Sequence, residues 1–295
     1  MSLQNGLSGL SDKLLARVLG RLGFSNSPSA DISGLRALYA AWCGSVPFDN
    51  VSKMLALREP GGGALPGGHA EEFFEHWLSH GAGGTCWPTS NALVTLARSL
   101  GFEAHRVVRC MRDLGVINHA SVRVKIEGRD WLVDSSLLCN VPLPLDQNRF
   151  IHDDPAFAVE VEPVDRTHVI WADTPPNSDY LPCRICAEPA SHAHYLASYE
   201  ASRKRSPFNQ RLYARRNHPG EFLVLLGSTR FSKTAKGLTI RELSPEGVCQ
   251  ALREDIGLSD CLIQKWVQSG SLDASFEAPA APEPPPVTRK PPSQR

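Results

Sequence analysis

Leu10, Leu14, Val18 and Leu22 recur at four-residue spacing, a stripe that predicts an amphipathic helix over Ser11 to Gly20, capped by Ser11 and ended by Gly23. A second helix, about Ile32 to Cys43, sets Leu35, Leu38, Tyr39 and Trp42 on one side and stops before Val46-Pro47. Pro60 to Gly68 is a loop on composition, and no Gly-Lys-Ser/Thr follows to make it a phosphate cradle. Glu71 to His80 predicts a third helix burying Phe73, Phe74, Trp77 and Leu78, and the apolar run Asn91 to Leu100 predicts a fourth. From Ala104 the period changes to two, with strands at about 104–110, 119–126, 129–134, 157–161 and 167–171, the pattern of an antiparallel sheet or small barrel. Beyond Ser191 come a helix around His194 to Arg203, strands at about 221–226 and 238–242, and a helix from Pro245 to Ile256 behind Ser244. After Phe276 the Pro-rich tail reads as disordered or polyproline-like, a linker rather than a docking peptide.

Composition narrows the class. The 295 residues are 42% hydrophobic and 21% charged, with 31 basic and 31 acidic side chains, so no global charge draws the chain to nucleic acid or an anionic membrane. No apolar run approaches the ~20 residues of a spanning helix. Met1-Ser2-Leu3-Gln4-Asn5-Gly6 lacks the basic-then-apolar plan of a secretory signal, and eight scattered cysteines then read as reduced thiols. The expectation is a cytoplasmic protein with neither a nucleic-acid nor a membrane partner.

Against that background Gly83-Gly84-Thr85-Cys86-Trp87-Pro88 carries the candidate chemistry. A cysteine after two glycines, before a proline suited to a first helical turn, sits at a helix N-terminus with an approachable backbone. Free N–H groups and the helix dipole there favour a thiolate. His119 opens the alternating strand to Ile126, and after the Glu127-Gly128-Arg129 turn a second strand ends at Asp134. Antiparallel pairing sets the start of one strand beside the end of its hairpin partner, so His119 and Asp134 are expected together. His119 would deprotonate Cys86, and Asp134 would hold the imidazole tautomer. Singly these are a small buried hydrophobe, a strand cap and a turn opener; in this order, each at the end of an element, they form a nucleophilic-cysteine site.

In these residues the chain resembles the arylamine N-acetyltransferases, whose signature is Arg-Gly-Gly-aromatic-Cys at a helix head, then a histidine strand and an aspartate strand. Arg21-Leu22-Gly23-Phe24 is similar to that family's Arg-Ile-Gly-Tyr, and Val46-Pro47-Phe48-Asp49-Asn50 to its Ile-Pro-Phe-Glu-Asn. Leu100-Gly101-Phe102, Ser206-Pro207-Phe208 and the stretch from Leu252 to Gly257 fall in the same order, so the likeness covers roughly residues 10 to 265. It implies an α+β fold with a transglutaminase-like or papain-like cysteine site. Residues 1–100 would form an N-terminal helical bundle carrying the nucleophile, 101–190 a central antiparallel β-barrel carrying His119 and Asp134, 191–276 a C-terminal α/β lid, and 277–295 a disordered tail.

The resemblance also implies a metal-free acyltransferase using acetyl-CoA as co-substrate. Cys86 would take the acetyl or a related acyl group and pass it, by ping-pong kinetics, to an aromatic or hydrophobic amine, hydrazine or hydroxylamine. Phe48, Leu137 and Ser206 are the substrate-binding candidates. The departures bear on the acceptor: Ala82 stands for the family's arginine, Thr85 for an aromatic, and Ser135-Ser136-Leu137-Leu138 for Val/Ala-Gly-Phe-Gly, while the segment between Val108 and His119 is short. Two other readings stay open, an amide synthase fed by a carrier-bound acyl thioester and a non-catalytic transglutaminase-like binding module.

Two further signals compete. Cys183 and Cys186, with His192 and His194 behind them, have zinc-ligand chemistry, but the spacing is short for a structural site and a strand would point the two cysteines to opposite sides. Arg203, Lys204, Arg205, Arg211, Arg215 and Arg216 form a basic run with Phe208 and Tyr213 interleaved, read as a solvated face; by the resemblance, one or two of them could meet the phosphates of coenzyme A.

Overall fold

The structure is a computed structural model that describes residues 9–146, 148–175, 180–279 and 289–294. The first part is helical. α1 (Asp12–Arg21) starts at Ser11, whose hydroxyl accepts the Leu14 N–H, and all four residues of the expected stripe are buried. α2 (Ile32–Ser45) starts at Asp31, whose carboxylate accepts the Gly34 N–H at 2.8 Å. A two-residue strand, β1 (Phe48–Asp49), leads into α3 (Val51–Arg58), followed by α4 (Ala70–His80) and α5 (Cys86–Ser99). α4 ends at Gly81, where φ is 71° and a Cβ would lie 2.1 Å from the Gly257 carbonyl oxygen, so glycine is required on both counts. α5 is buried from Cys86 through Ala97, its polar Thr89, Ser90, Asn91 and Thr95 included, each of which is hydrogen-bonded.

The second part is one antiparallel sheet. β2 (Glu103–Met111), β3 (His119–Ile126), β4 (Arg129–Val133), β5 (Leu143–Pro144), β6 (Phe150–His152), β7 (Val159–Val164), β8 (Thr167–Ala172) and β9 (Leu181–Pro189) are ordered β5-β4-β3-β2-β9-β8-β7-β6, an eight-stranded barrel-like layer against which α5 packs through β2 and β3. The five expected strands are present. β9 was not expected, because Pro182, Arg184 and Pro189 interrupt the apolar alternation. It carries both Cys183 and Cys186, and among the described residues no group of three or more His, Cys, Asp or Glu side chains converges on a metal position.

The third part holds α6 (His192–Ala201), β10 (Tyr213–His218), β11 (Glu221–Leu226), β12 (Thr229–Thr234), β13 (Gly237–Glu242), α7 (Pro245–Ala251), a π-helical turn over Leu252–Ile256, α8 (Asp260–Gln268) and α9 (Ser271–Glu277). Its sheet runs β1-β10-β11-β12-β13, so Phe48 and Asp49, from the helical part, form an edge strand by pairing with Arg215 and Ala214. Asn50 fastens the same junction. Its side-chain amide donates to the carbonyls of Phe208 and Arg211 at 3.0 and 2.7 Å, and its Oδ1 accepts the Tyr213 N–H at 2.9 Å.

Residues 280–288 and 295 of the expected tail lie outside the described residues. Within 289–294, the Arg289 guanidinium meets Glu162 at 3.0 Å, the Ser293 N–H donates to Glu160 at 3.1 Å, and Pro292–Gln294 form a 3-10 turn. Among the described residues no helix is long and apolar enough to cross a membrane.

Candidate active site

The loop ahead of α5 is held from below by β1. The Asp49 N–H donates to the Gly84 carbonyl at 3.2 Å, and the buried Asp49 carboxylate accepts the Gly83 N–H at 2.7 Å and the Val51 N–H at 3.1 Å. Burial pushes the Asp49 carboxyl up to about 6 despite those two backbone bonds, which favour the charged form. At Gly83 a Cβ would lie 1.8 Å from the Pro47 carbonyl oxygen. Backbone faces backbone there, so nothing can swing aside. Gly83→Ala is therefore expected to destabilise the chain by about 1–3 kcal/mol and to displace Cys86, read by denaturant unfolding together with Cys86 alkylation rate. Unchanged values in both would refute this account of the loop.

Cys86, the first residue of α5, is buried among Phe48, Trp87, Val108, Ala120 and Tyr199. His119, the first residue of β3, donates through Nε2 to Asp134 Oδ2 at 2.8 Å, and Cys86 lies close enough to bear on the imidazole. Asp134 follows the last residue of β4, so the expected hairpin geometry is borne out. Its carboxylate is fully satisfied: Oδ2 also accepts from Ser121 Oγ at 2.6 Å and from the Arg109 guanidinium, while Oδ1 accepts the N–H groups of Ser136 and Leu137 at 2.9 and 2.8 Å. The Tyr39 hydroxyl donates to the Asp134 carbonyl at 2.7 Å.

This wiring sets the charges. Burial opposes the His119 imidazolium, but the charge and hydrogen bond of Asp134, joined by Cys86, outweigh it and raise His119 to about 9. Burial likewise opposes the Asp134 carboxylate, yet His119, Arg109 and Ser121 together hold it well below the usual carboxylate range.

The other candidates lie nearby with distinct contacts. Phe48 packs on Phe208 and Tyr213 at ring distances of 5.1 and 5.5 Å, within the Cys86 cluster. Leu137 is buried in the main core instead, its N–H on Asp134 and its carbonyl on Arg215. Ser206 Oγ accepts the Phe208 N–H at 3.2 Å, which shapes the turn that presents the Phe208 ring.

The basic run is not a single solvated face. Arg215 is buried, stacked over Phe222 and Phe157 and bonded to the Leu137 carbonyl, and Arg216 donates to the Gly44 and Ile256 carbonyls at 3.2 and 3.0 Å. As consecutive residues of β10 they face opposite sides of the sheet, and the guanidinium group of each serves backbone carbonyls. Lys204 and Arg205 are exposed. The run after Asp134 is tied to α5 by Ser135, whose hydroxyl meets Thr89 Oγ1 at 2.9 Å and Ser90 Oγ at 2.8 Å. Leu138 adopts φ 50°, a left-handed conformation costing a non-glycine residue about 1–3 kcal/mol. Asn217 donates to the Leu138 carbonyl and so braces it.

Sequence reasoning missed Arg109, Ser121 and Tyr39. The first two had a signal: Arg109 is a charge within the apolar stretch from Val107 to Met111 and pairs in register with His119, and Ser121 shares the His119 face two residues on.

A cysteine heading a buried helix, set against a barrel-like sheet that supplies a hydrogen-bonded His–Asp pair, defines an α+β protein of the cysteine-site class. A sequence model of the N-acetyltransferase family matches residues 31–261, and the chain belongs to the arylamine N-acetyltransferase family. It is similar to an arylamine N-acetyltransferase of Mycolicibacterium smegmatis, 30% identical over 129 residues; the match takes in 41% of this chain and 45% of that relative, under half its length. In fold it is similar to the Mycobacterium smegmatis N-arylamine acetyltransferase structure, with TM-score 0.76 at 18% identity over 90% of this chain and 99% of that one. The Mycobacterium marinum arylamine N-acetyltransferase in complex with CoA gives 0.75 at 16% identity, over 89% and 98% of the two chains.

Proposed function

We propose that this chain is an acetyl-CoA-dependent acyltransferase whose nucleophile is Cys86, with His119 as proton carrier and Asp134 as the group that orients and charges it. The Cys86 sulfur attacks the thioester carbonyl carbon, and the tetrahedral oxyanion is met by N–H groups at the head of α5. The bond to the coenzyme A sulfur then breaks, with His119 returning a proton to that leaving thiolate. An aromatic or hydrophobic amine, hydrazine or hydroxylamine attacks the acetyl-cysteine in turn, its proton passing to His119 as the Cys86 sulfur leaves. The observation that carries this reading is the buried His119–Asp134 hydrogen bond set close to Cys86 at the head of a buried helix, in a member of this family. The coenzyme A bound by the Mycobacterium marinum relative supports the choice of donor.

Intact mass spectrometry after brief mixing with acetyl-CoA, without acceptor, tests it. Wild type is expected to gain one acetyl group, about 42 Da, and Cys86→Ser none. No gain on wild type, or equal labelling of the variant, overturns the reading.

A further inference from the structure

β13 ends the five-stranded sheet of the third part on the side away from β1, and every residue from Gly237 to Glu242 is exposed. It pairs with β12 without a bulge, from Thr229 opposite Glu242 to Thr234 opposite Gly237. In the same register the Leu243 N–H donates to the Ser228 carbonyl at 2.8 Å. Antiparallel alternation then turns the backbone groups of odd-numbered residues towards β12 and those of even-numbered residues outward. The N–H and C=O groups of Leu238 and Ile240 therefore point to the open edge. Their side chains share one face and are 48% and 58% exposed. On that face Val224, Phe231 and Ile240 stand side by side across β11, β12 and β13; the first two belong to the main core, and the row runs out into water at the third.

An edge of this kind is ordinarily blunted by a proline or a bulge, because an unpaired strand recruits another. β13 has neither. Its sequence is instead complementary to itself when reversed. With a second copy laid antiparallel about Thr239, Leu238 of each copy faces Ile240 of the other through the outward backbone groups. The exposed Lys236 of each then meets the exposed Glu242 of the other, and Gly237 leaves room for Arg241. A shift of two residues in either direction would set Leu238 against Glu242 or Ile240 against Lys236, so one register is selected. The Pro-rich tail after Phe276 is a poor rival for this edge, since its prolines lack the N–H groups an added strand must supply.

We propose that β13 is a self-association surface, on which two copies of this chain join edge to edge about Thr239 and continue their sheets into one across a two-fold axis. Each copy contributes a single strand, so the dimer is weak, with a dissociation constant of about 1–100 μM. β1, which holds the nucleophile loop, is the opposite edge of the same sheet, and the pairing is independent of the acyl-transfer chemistry.

Sedimentation velocity of the full chain between about 1 and 300 μM tests it, and wild type is expected to pass from monomer to dimer over that range. Ile240→Pro removes an outward N–H while sparing the β12 ladder, and is expected to keep the chain monomeric, with circular dichroism confirming the fold. Glu242→Lys opposes two like charges at each end of the interface and is expected to weaken the dimer about tenfold. Adding Lys236→Glu to it is expected to restore wild-type association. The two positions lie six residues apart along one extended strand, about 20 Å, so such a rescue must act between copies. A wild type that stays monomeric throughout overturns the proposal. So does a dimer that survives Ile240→Pro, or a double variant that associates no better than Glu242→Lys.

Discussion

Asp134→Asn is expected to lower kcat/KM for acyl transfer by about four orders of magnitude, the scale seen when a triad carboxylate is neutralised and the imidazole is left in the wrong tautomer. The same change removes the charge that holds His119 up at about 9. Burial is then opposed by Cys86 alone, so the ring should titrate well below about 9. The sign for stability follows. In wild type a histidine with a raised folded value contributes stability that is fully present below about 6.5 and lost as pH rises through about 9. The variant should lose that slope. Ring NMR titration of His119 and denaturant unfolding across this window check both parts. A variant whose imidazole still titrates near 9, or whose kcat/KM stays within tenfold of wild type, would sink the role given to Asp134.

Arg109→Met is the second large effect. The Arg109 guanidinium is fully buried on β2 and bonds Asp134, Ser121 Oγ at 3.1 Å and the Cys183 carbonyl at 3.1 Å. Removing one partner of a buried charge pair leaves the other uncompensated, a loss of about 3–5 kcal/mol. Methionine keeps much of the stem volume, so the change isolates charge rather than cavity. Urea unfolding at neutral pH is the measurement, and a loss below about 1 kcal/mol would show that His119 alone neutralises the carboxylate.

The parts of this molecule legible from sequence are those in which local pattern and tertiary demand agree. The Leu10 to Leu22 stripe, the third helix to His80 and the strand from His119 to Ile126 are each carried by a clean period, and the structure has them. Cys86, His119 and Asp134 were legible because each stands at the boundary of such an element. β10 and β12 were not. Arg215, Arg216, Arg230 and Lys233 look like surface residues until their partners are known, and those partners are carbonyls, aromatic faces and carboxylates supplied by distant segments. β1 was illegible for a related reason, since two residues have no period at all.

The grip of Asn50 on Phe208, Arg211 and Tyr213 spans 158 to 163 positions of chain. During synthesis the nucleophile loop leaves the ribosome long before the strand that completes its support has been translated. Until then Phe48 and the apolar face around Cys86 lack their covering, so the helical half cannot reach its final form as a free-standing unit. Such wide-spaced contacts slow folding and leave sticky surface open to chaperones. On the proposed reading, Cys86 would thus gain its surroundings late, near the end of the chain's manufacture, and a premature stop before residue 208 would leave the thiol without the Phe208 and Tyr213 cover.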